Sequence, residues 1–381
     1  MTEVNVLLDP GLPGEPAKFL DESLRRLIVG QDQAIDQIVS AYQTHLSGLT
    51  APGRPVGNFL FLGPTGSGKT RIVEVTSETL LRSPHALIKI DCAEFQHSHE
   101  IAKLIGSPPG YLGHRETHPI LSQEVLNQYH TEETKLSFVL FDEIEKASDA
   151  LWNLLLGILD KATLTLGDNR RVDFSRAMIF MTSNLGAVEM SDILAPRLGF
   201  SAGEWQRAKL EIKEESMAGK IHRSGVEAAR RRFTPEFMNR LDEIVTFRPL
   251  GSEQLRKILD IELDFVQERI FSSGIDRAFV FTLSEEAKSF VLTEGTDIRY
   301  GARHLKRTIG RLLVRPLSNL LSSGQVSGGD WILVDFDPAA RRLRFTKRAA
   351  GLSLQQMAGP MDILPFSSPP VEARRKRRAA S

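Results

Sequence analysis

The sequence feature that most constrains this chain is an eight-residue segment with the spacing G-x-x-x-x-G-K-T. It follows the apolar run 59–62 and precedes a stretch compatible with a helix over 71–81. Such glycines let the backbone curl, so that its N–H groups and the start of the next helix point at an anion. The spacing predicts a P-loop that binds a triphosphate, whereas the alternative is a plain turn between a strand and a helix. The residues of the segment are Gly63, Pro64, Thr65, Gly66, Ser67, Gly68, Lys69 and Thr70.

Side chains inside and downstream of this loop have the chemistry that a bound triphosphate needs. Lys69 can reach the outer phosphates as a compact, mobile charge, and the Thr70 hydroxyl suits a Mg²⁺ ligand. Asp142 and Glu143 follow a predicted buried strand over 136–141. In that position we expect Asp142 to hold Mg²⁺ through water and Glu143 to orient the attacking water. The alternative is that both acids only favour the dipole of the next helix.

A second polar group, Thr182-Ser183-Asn184, follows the predicted strand 176–181. It is expected on the same side of the sheet as the two acids. The amide of Asn184 is therefore a candidate to read the γ-phosphate or the attacking water.

The composition limits the classes of protein to which this chain can belong. The 381 residues are 41% hydrophobic and 25% charged, which is ordinary for a soluble globular protein with two or three compact units. Lys and Arg number 48 against 48 Asp and Glu, so the balance indicates neither a nucleic-acid partner nor a membrane. The single Cys92 suits a reducing compartment. Because we find neither a secretory leader nor an apolar stretch of about 18 residues, we expect a cytoplasmic protein.

Turn formers and charge runs predict how the chain is divided. Residues 1–18 are rich in proline and glycine and are expected to form a lead-in arm without a helix. Residues 19–250 are expected to form a large domain and residues 251–349 a small α+β lid. Residues 350–381 contain several prolines and end in a basic run, so we expect them to be disordered.

Taken in order, the motifs resemble the AAA+ ATPase module of the Clp/heat-shock unfoldases, in particular the C-terminal ATPase ring of ClpB, ClpA and ClpC. The resemblance runs from about residue 19 to about residue 335. It implies an α/β fold, in which an AAA+ P-loop ATPase domain with a parallel sheet is followed by a small α+β lid domain. The segments that carry it are the P-loop, 28–31, 141–147, 182–184, 233–242 and 300–303.

The resemblance also implies roles for individual residues. Val29 and Gly30 would lie against the adenine, and Arg303 would contact the nucleotide from the lid of the same chain. Asn184 would be the γ-phosphate sensor. Arg240 would be the arginine finger that reaches into the site of a neighbouring subunit, which forces assembly into a ring. Without the order of the motifs, either arginine would more often be a solvated or salt-bridged surface residue.

Two loops distinguish the uses of such a module. Tyr111 and Leu112 occupy the positions of the pore loop with which related unfoldases grip a polypeptide, and the flanking glycines suit a mobile, sequence-tolerant contact. The alternative is a loop packed on its own domain. Leu198-Gly199-Phe200 lies where protease-coupled relatives carry a tripeptide that docks on the ClpP peptidase; otherwise it is an ordinary apolar anchor.

The resemblance therefore implies an ATP-dependent protein unfoldase/translocase that uses ATP and Mg²⁺ and works as a ring, expected to be a homo-hexamer. Unfolded or tagged proteins would be its substrates, and a ClpP-like peptidase and an adaptor are candidate partners. One alternative is a nucleotide-switched scaffold that remodels a partner without threading it and so does not need Tyr111. Another is a nucleic-acid motor, against which the balanced charge argues.

Overall fold

The computed structural model describes residues 9, 11–107, 118–194, 207–274, 278–297, 300–353 and 356–357. The chain divides into two compact units. The first contains the chain up to Gln254 together with the short segment Asp297–Arg303, and the second contains Leu255–Thr296 and the chain from His304 onward. The prediction that 251–349 forms one lid differs from this division, because the backbone of Tyr300 and Ala302 lies against Gly66 of the P-loop.

The first unit alternates strands and helices. Its described strands are β1 Gly57–Leu62, β2 Leu87–Asp91, β3 Ser137–Asp142, β4 Thr163–Thr165, β5 Arg171–Asp173, β6 Ala177–Ser183 and β7 Glu243–Thr246. Its described helices are α1 Glu15–Leu27, α2 Asp32–Leu46, α3 Lys69–Leu81, α4 Ala102–Ile105, α5 Gln123–Asn127, α6 Asp149–Lys161, α7 Ala187–Leu194, α8 Arg207–Arg232 and α9 Pro235–Met238. Within the described residues, a parallel sheet runs in the order β2-β3-β6-β1-β7, and β4 pairs with β5 as an antiparallel hairpin.

The central strands β1, β3 and β6 are buried almost end to end, as is typical of a parallel sheet covered on both faces. Alternate residues enter two separate hydrophobic cores, and the rings of Phe59 and Phe180 stack with centroids 5.0 Å apart in one of them. Packing on both faces sets the register, which pairs Leu62 with Ser183. The carboxyl ends of β1, β3 and β6 therefore lie side by side, and the predicted α/β fold with a parallel sheet is confirmed.

The second unit is a smaller α+β arrangement. Its elements are α10 Ser252–Ser272, which begins just before the division, β8 Val280–Leu283, α11 Glu285–Gly295, α12 Ala302–Ile309, which also crosses the division, α13 Arg315–Ser322, β9 Trp331–Asp337 and β10 Arg342–Ala349. The strands form a sheet in the order β10-β9-β8, with β8 parallel and β10 antiparallel to β9. The buried amide of Gln267 in α10 donates to the carbonyl of Phe279 (2.7 Å) and accepts the N–H of Phe281 (3.1 Å), which fixes the helix to β8.

Several local predictions are wrong in detail. α1 begins at Glu15, inside the predicted arm. Pro16 lies in the first helical turn, where an N–H group would have no partner within the helix, so the N–H that proline lacks is not needed. α5 is a short helix that Ser122 caps at its start. The strands β4, β5 and β8 were not predicted because they are too short for a periodic pattern. Most of the predicted disordered tail, 358–381, lies outside the described residues.

A search of the described helices finds none with the length and apolar character needed to cross a membrane.

Candidate nucleotide site

The P-loop connects the carboxyl end of β1 to the first residue of α3. Gly66 has φ +77°, and a Cβ placed on it would lie 2.2 Å from the carbonyl oxygen of Tyr300, so only glycine fits. The carbonyl of Gly66 accepts the N–H of Ala302 at 3.2 Å. The loop is therefore curled as the spacing predicted, and the segment that ends in Arg303 is bound to its backbone.

Lys69 is buried at the centre of the loop, with 7% of its surface exposed. Its Nζ donates to the carbonyl of Gly63 (2.7 Å), to that of Pro64 (2.9 Å) and to Asn184 Oδ1 (3.0 Å). Burial lowers the pKa of Lys69 to about 8, and neighbouring carboxylates partly oppose this effect. The amine is thus fixed by three acceptors of its own chain, at the point where the predicted anion would bind.

Asp142 ends β3 and is surrounded by polar partners. Its carboxylate accepts a hydrogen bond from the Thr182 hydroxyl, and Lys89 Nζ lies 3.2 Å from its Oδ2. The Thr70 hydroxyl lies 3.4 Å from its Oδ1. Among the described residues, no group of three or more His, Cys, Asp and Glu side chains could hold a metal. Two oxygen donors beside a phosphate-binding loop nevertheless fit Mg²⁺, which binds through one or two protein oxygens, waters and substrate phosphates.

Glu143 follows directly and has a left-handed backbone, with φ 57° and ψ 48°. Its N–H donates to the Thr182 hydroxyl at 3.1 Å. Its carboxylate accepts hydrogen bonds from Lys146 Nζ and, at 3.4 Å, from Asn184 Nδ2. Because Asn184 also bonds Lys69, its amide links the buried amine to the carboxylate that the sequence predicted to orient water.

The segment with Val29 and Gly30 reaches the P-loop through the next residue, Gln31. The buried Gln31 amide donates to the carbonyl of Ser67 (3.1 Å) and to that of Arg248 (3.0 Å), and it accepts the Arg248 N–H (3.1 Å). Both donors and the acceptor of this side chain are used. Val29 and Gly30 directly precede this anchored residue, and their contact with an adenine stays a prediction.

The two predicted arginines have different surroundings. Arg303 is close enough to Lys69 for its charge to contribute to lowering the pKa of that amine. Arg240 forms ion pairs with Glu236 (3.0 Å) and Asp160 (3.9 Å). Within the described residues, the ion pairs and hydrogen bonds of Arg240 involve neither the P-loop nor Asp142 and Glu143.

Some predicted residues cannot be placed, and some supporting residues were missed. Tyr111, Leu112, Leu198, Gly199 and Phe200 lie outside the described residues. Sequence reasoning found neither the ion pair of Lys89 with Asp142, nor that of Lys146 with Glu143, nor the carboxylate of Glu145, which accepts the Asn184 N–H at 3.0 Å. Lys89 reaches Asp142 because β2 pairs with β3. No local sequence pattern reveals which strands pair, so this contact was not predicted.

Family models match both units. The model of the AAA domain (Cdc48 subfamily) matches residues 54–244, half of the chain. The model described as the C-terminal, D2-small domain, of ClpB protein matches residues 250–334. These matches cover every predicted nucleotide-site residue except Val29 and Gly30.

Proteins of similar sequence support the same family assignment. The chaperone protein ClpB of Meiothermus ruber is 38% identical over 329 residues, covering 86% of this chain and 35% of the relative. The chloroplastic chaperone protein ClpC3 of Oryza sativa subsp. japonica is 37% identical over 335 residues, covering 87% and 34%. The chain thus spans about a third of the length of these relatives.

Solved structures of Hsp104 share the fold. A closed state of Hsp104 with ATPγS and FITC casein has a TM-score of 0.69 at 29% identity, and it covers 87% of this chain and 52% of that one. An extended S. cerevisiae Hsp104:casein complex has a TM-score of 0.71 at 29% identity, covering 87% and 53%. The chain therefore belongs to the AAA family, as an AAA domain of the Cdc48 subfamily followed by a small domain of the ClpB D2 type.

Proposed function

We propose that this chain is an ATP-dependent protein unfoldase/translocase that works as a ring of identical subunits. The observation that carries the proposal is the meeting of Lys69, Asp142, Glu143 and Asn184 at the carboxyl ends of three adjacent strands. Phosphoryl transfer depends mostly on positioning and on neutralising charge, and these side chains supply both. The similarity to ClpB, ClpC3 and Hsp104 supports ATP as the nucleotide.

Each side chain has one task in this proposal. The P-loop N–H groups and Lys69 bind the phosphates of ATP, while Val29 and Gly30 contact its adenine. Glu143 accepts the proton of the attacking water, and Asn184 holds that carboxylate and the Lys69 amine at one place. Arg303 adds positive charge from beside the loop. Thr70 and Asp142 would hold Mg²⁺, which neutralises phosphate charge when bound.

Substituting Glu143→Gln tests the catalytic assignment. The change keeps the size and hydrogen-bonding capacity of the side chain but removes the base, so steady-state ATP hydrolysis is expected to fall at least about a hundredfold. Nucleotide affinity, measured with a fluorescent ADP analogue, should stay within about twofold of wild type. Glu133→Gln, an exposed change in the loop before β3, is the matched control. Normal hydrolysis by Glu143→Gln would refute the assignment.

Ring assembly follows from Arg240 in this proposal. Its guanidinium is partly exposed, and its ion-pair partners Glu236 and Asp160 are surface carboxylates. An arginine finger given by a neighbouring subunit stabilises the charge that develops during phosphoryl transfer. We expect a hexamer, as in the family that the motifs resemble, and measurement of mass in solution with ATP tests the number of subunits.

The proposed substrate is an unfolded or tagged polypeptide, gripped by Tyr111 and Leu112 in the central channel. The casein complexes described for Hsp104 support a polypeptide substrate. The test is ATP-driven unfolding of a stable fluorescent protein with an unstructured tag. Tyr111→Phe keeps an aromatic ring and should retain unfolding, whereas Tyr111→Ala should lose it while ATP hydrolysis persists. Equal unfolding by wild type and Tyr111→Ala would instead favour the nucleotide-switched scaffold.

Partners beyond the substrate are tested in the same assay. We propose that Leu198-Gly199-Phe200 docks a ClpP-like peptidase, in which case adding ClpP should degrade the fluorescent protein. Degradation that survives Leu198→Ala would contradict docking through this tripeptide. Failure of wild type to unfold the substrate while it hydrolyses ATP would indicate either that an adaptor is required or that the chain is the nucleotide-switched scaffold. We place the activity in the cytoplasm, in keeping with the single Cys92.

A further inference from the structure

The turn that contains Glu143 needs support from outside itself. Glu143 has a left-handed backbone, which residues with a side chain rarely adopt. It is followed by a single 3₁₀ turn, Ile144–Lys146. A turn this short has few hydrogen bonds of its own, which run from Lys146 N–H to the Glu143 carbonyl and from Ala147 N–H to the Ile144 carbonyl. Contacts with neighbouring elements must therefore help to keep the Glu143 carboxylate in place.

Two side chains bind consecutive carbonyls of this turn. The Trp152 indole in α6 donates to the carbonyl of Ile144 at 3.1 Å. Arg232, the last residue of α8, donates through Nε (3.2 Å) and Nη2 (2.9 Å) to the carbonyl of Glu145. The Arg232 guanidinium also lies over the Trp152 ring, 4.3 Å from its centroid. We name this pair of side chains the Trp152–Arg232 bracket.

The opposite side of the turn contacts Thr182 and Asn184 in the candidate nucleotide site. The Glu143 N–H is bound by the Thr182 hydroxyl, and the Glu145 carboxylate binds the Asn184 N–H. The turn is thus held between β6 on one side and the bracket on the other. Movement of the Glu145 carbonyl would shift both the Glu143 carboxylate and the backbone of Asn184.

We propose that Arg232 is a positioning residue for Glu143, acting through the carbonyl of Glu145 and the ring of Trp152. The inference rests on the proposed ATP hydrolysis. The planar guanidinium can donate two N–H groups to one carbonyl while stacking on the indole, which a lysine ammonium cannot do together. Arg232 therefore fixes the turn without touching the nucleotide.

The preceding residue offers a matched control. Arg231 is on the same helix and is exposed, but its guanidinium pairs with Glu227 one turn away, at 2.7 Å. Removing either arginine changes the charge of α8 by the same amount. A difference between the two variants must then come from the contacts of Arg232 rather than from net charge.

The experiment compares ATP hydrolysis by Arg232→Ala, Arg232→Lys and Arg231→Ala in the full chain. Arg232→Ala is expected to lower kcat about five- to tenfold, with KM and the affinity for a fluorescent ADP analogue unchanged, because only the orientation of Glu143 is lost. Arg232→Lys should recover part of the rate, and Arg231→Ala should match wild type. Wild-type kcat for Arg232→Ala would overturn the proposal. A rise in KM equal to the fall in kcat would also overturn it, because it would indicate a general structural role.

A second variant tests Trp152, the other member of the bracket. Trp152→Phe removes the N–H that binds Ile144 but keeps an aromatic ring against Phe233, whose ring centroid lies 5.5 Å away. We expect it also to lower kcat at constant KM, while an unchanged kcat would count against the bracket. Glu143→Gln separates the two levels of inference. If that variant hydrolyses ATP normally, the catalytic assignment of Glu143 fails, and a positioning role toward it fails as well. If it is inactive while Arg232→Ala is as fast as wild type, only the positioning role fails.

Discussion

The surroundings of Lys69 and of Arg240 differ, although both cations are proposed to act on the phosphates of ATP, Lys69 in its own chain and Arg240 in a neighbouring subunit. Lys69 is 7% exposed and binds three acceptors of its own chain at 2.7 to 3.0 Å. The side chain of Arg240 is 23% exposed, and its partners Glu236 and Asp160 are 62% and 45% exposed. One cation is built into the centre of its unit, whereas the other lies at the surface.

The backbone of Arg240 is held more firmly than its side chain. Its carbonyl accepts hydrogen bonds from the buried Asn58 amide (3.2 Å) and from Arg54 (3.4 Å). Ion pairs between exposed side chains contribute only about 0–1 kcal/mol, so the guanidinium can exchange its carboxylate partners for another anion at little cost. The comparison teaches that the proposed phosphate-binding groups lie together within one chain. Arg240 instead combines an anchored backbone with a side chain held by surface ion pairs, which suits its proposed role in a neighbouring subunit.

The largest expected effect tests whether Arg240 acts between subunits. Arg240→Ala should lower ATP hydrolysis about a thousandfold, because the charge that develops on the transferred phosphoryl group loses its guanidinium. Nucleotide affinity should stay near wild type, because the binding groups around Lys69 remain. Steady-state hydrolysis and titration with a fluorescent ADP analogue measure the two quantities.

Mixing variants then tests the comparison directly. Subunits with Arg240→Ala keep Glu143, and subunits with Glu143→Gln keep Arg240, so mixed rings should regain hydrolysis where the two meet. A mixture of Arg240→Ala with the double variant Arg240→Ala/Glu143→Gln has no arginine to supply and serves as the control. Equal rates in the two mixtures would mean that Arg240 does not act across subunits.

A smaller effect is expected at the buried cation. Lys69→Ala should weaken nucleotide binding about a hundredfold, because charge-assisted hydrogen bonds to phosphate contribute about 1.5–3 kcal/mol. Unlike Arg240→Ala, this variant should fail in binding rather than only in turnover. The exposed Lys18→Ala in α1 is the matched control. Affinity within about threefold of wild type would show that the buried amine does not contact the nucleotide.

The smallest expected effect concerns the support of the P-loop. Gln31→Ala removes the amide that joins the Ser67 and Arg248 carbonyls, which should lower the free energy of unfolding by about 1–3 kcal/mol. Gln33→Ala changes an exposed amide in the first turn of α2, two residues further on, and should have little effect. Urea unfolding followed by circular dichroism measures the difference. Equal unfolding free energies for both variants would show that Gln31 does not hold the loop.

Much of the nucleotide cluster could be predicted from the sequence because its parts are contiguous. A glycine spacing sets the curl of the P-loop locally, and acids that directly follow an apolar strand must lie at the end of that strand. The positions of Lys69, Asp142, Glu143 and Asn184 agree with those patterns. The start of α1 was mispredicted for an equally local reason, because proline was read as a helix breaker at a position where it begins a helix.

The sequence by itself thus determined the chemistry at the ends of β1, β3 and β6. Only the tertiary structure decided what holds that chemistry in place. Gln31 reaches Arg248, Lys89 reaches Asp142, and Arg232 reaches the carbonyl of Glu145, all across long stretches of chain. The physical reason is that burying both faces of the sheet selects which strands and helices become neighbours. Such contacts therefore depend on the packing of the whole unit rather than on any local pattern.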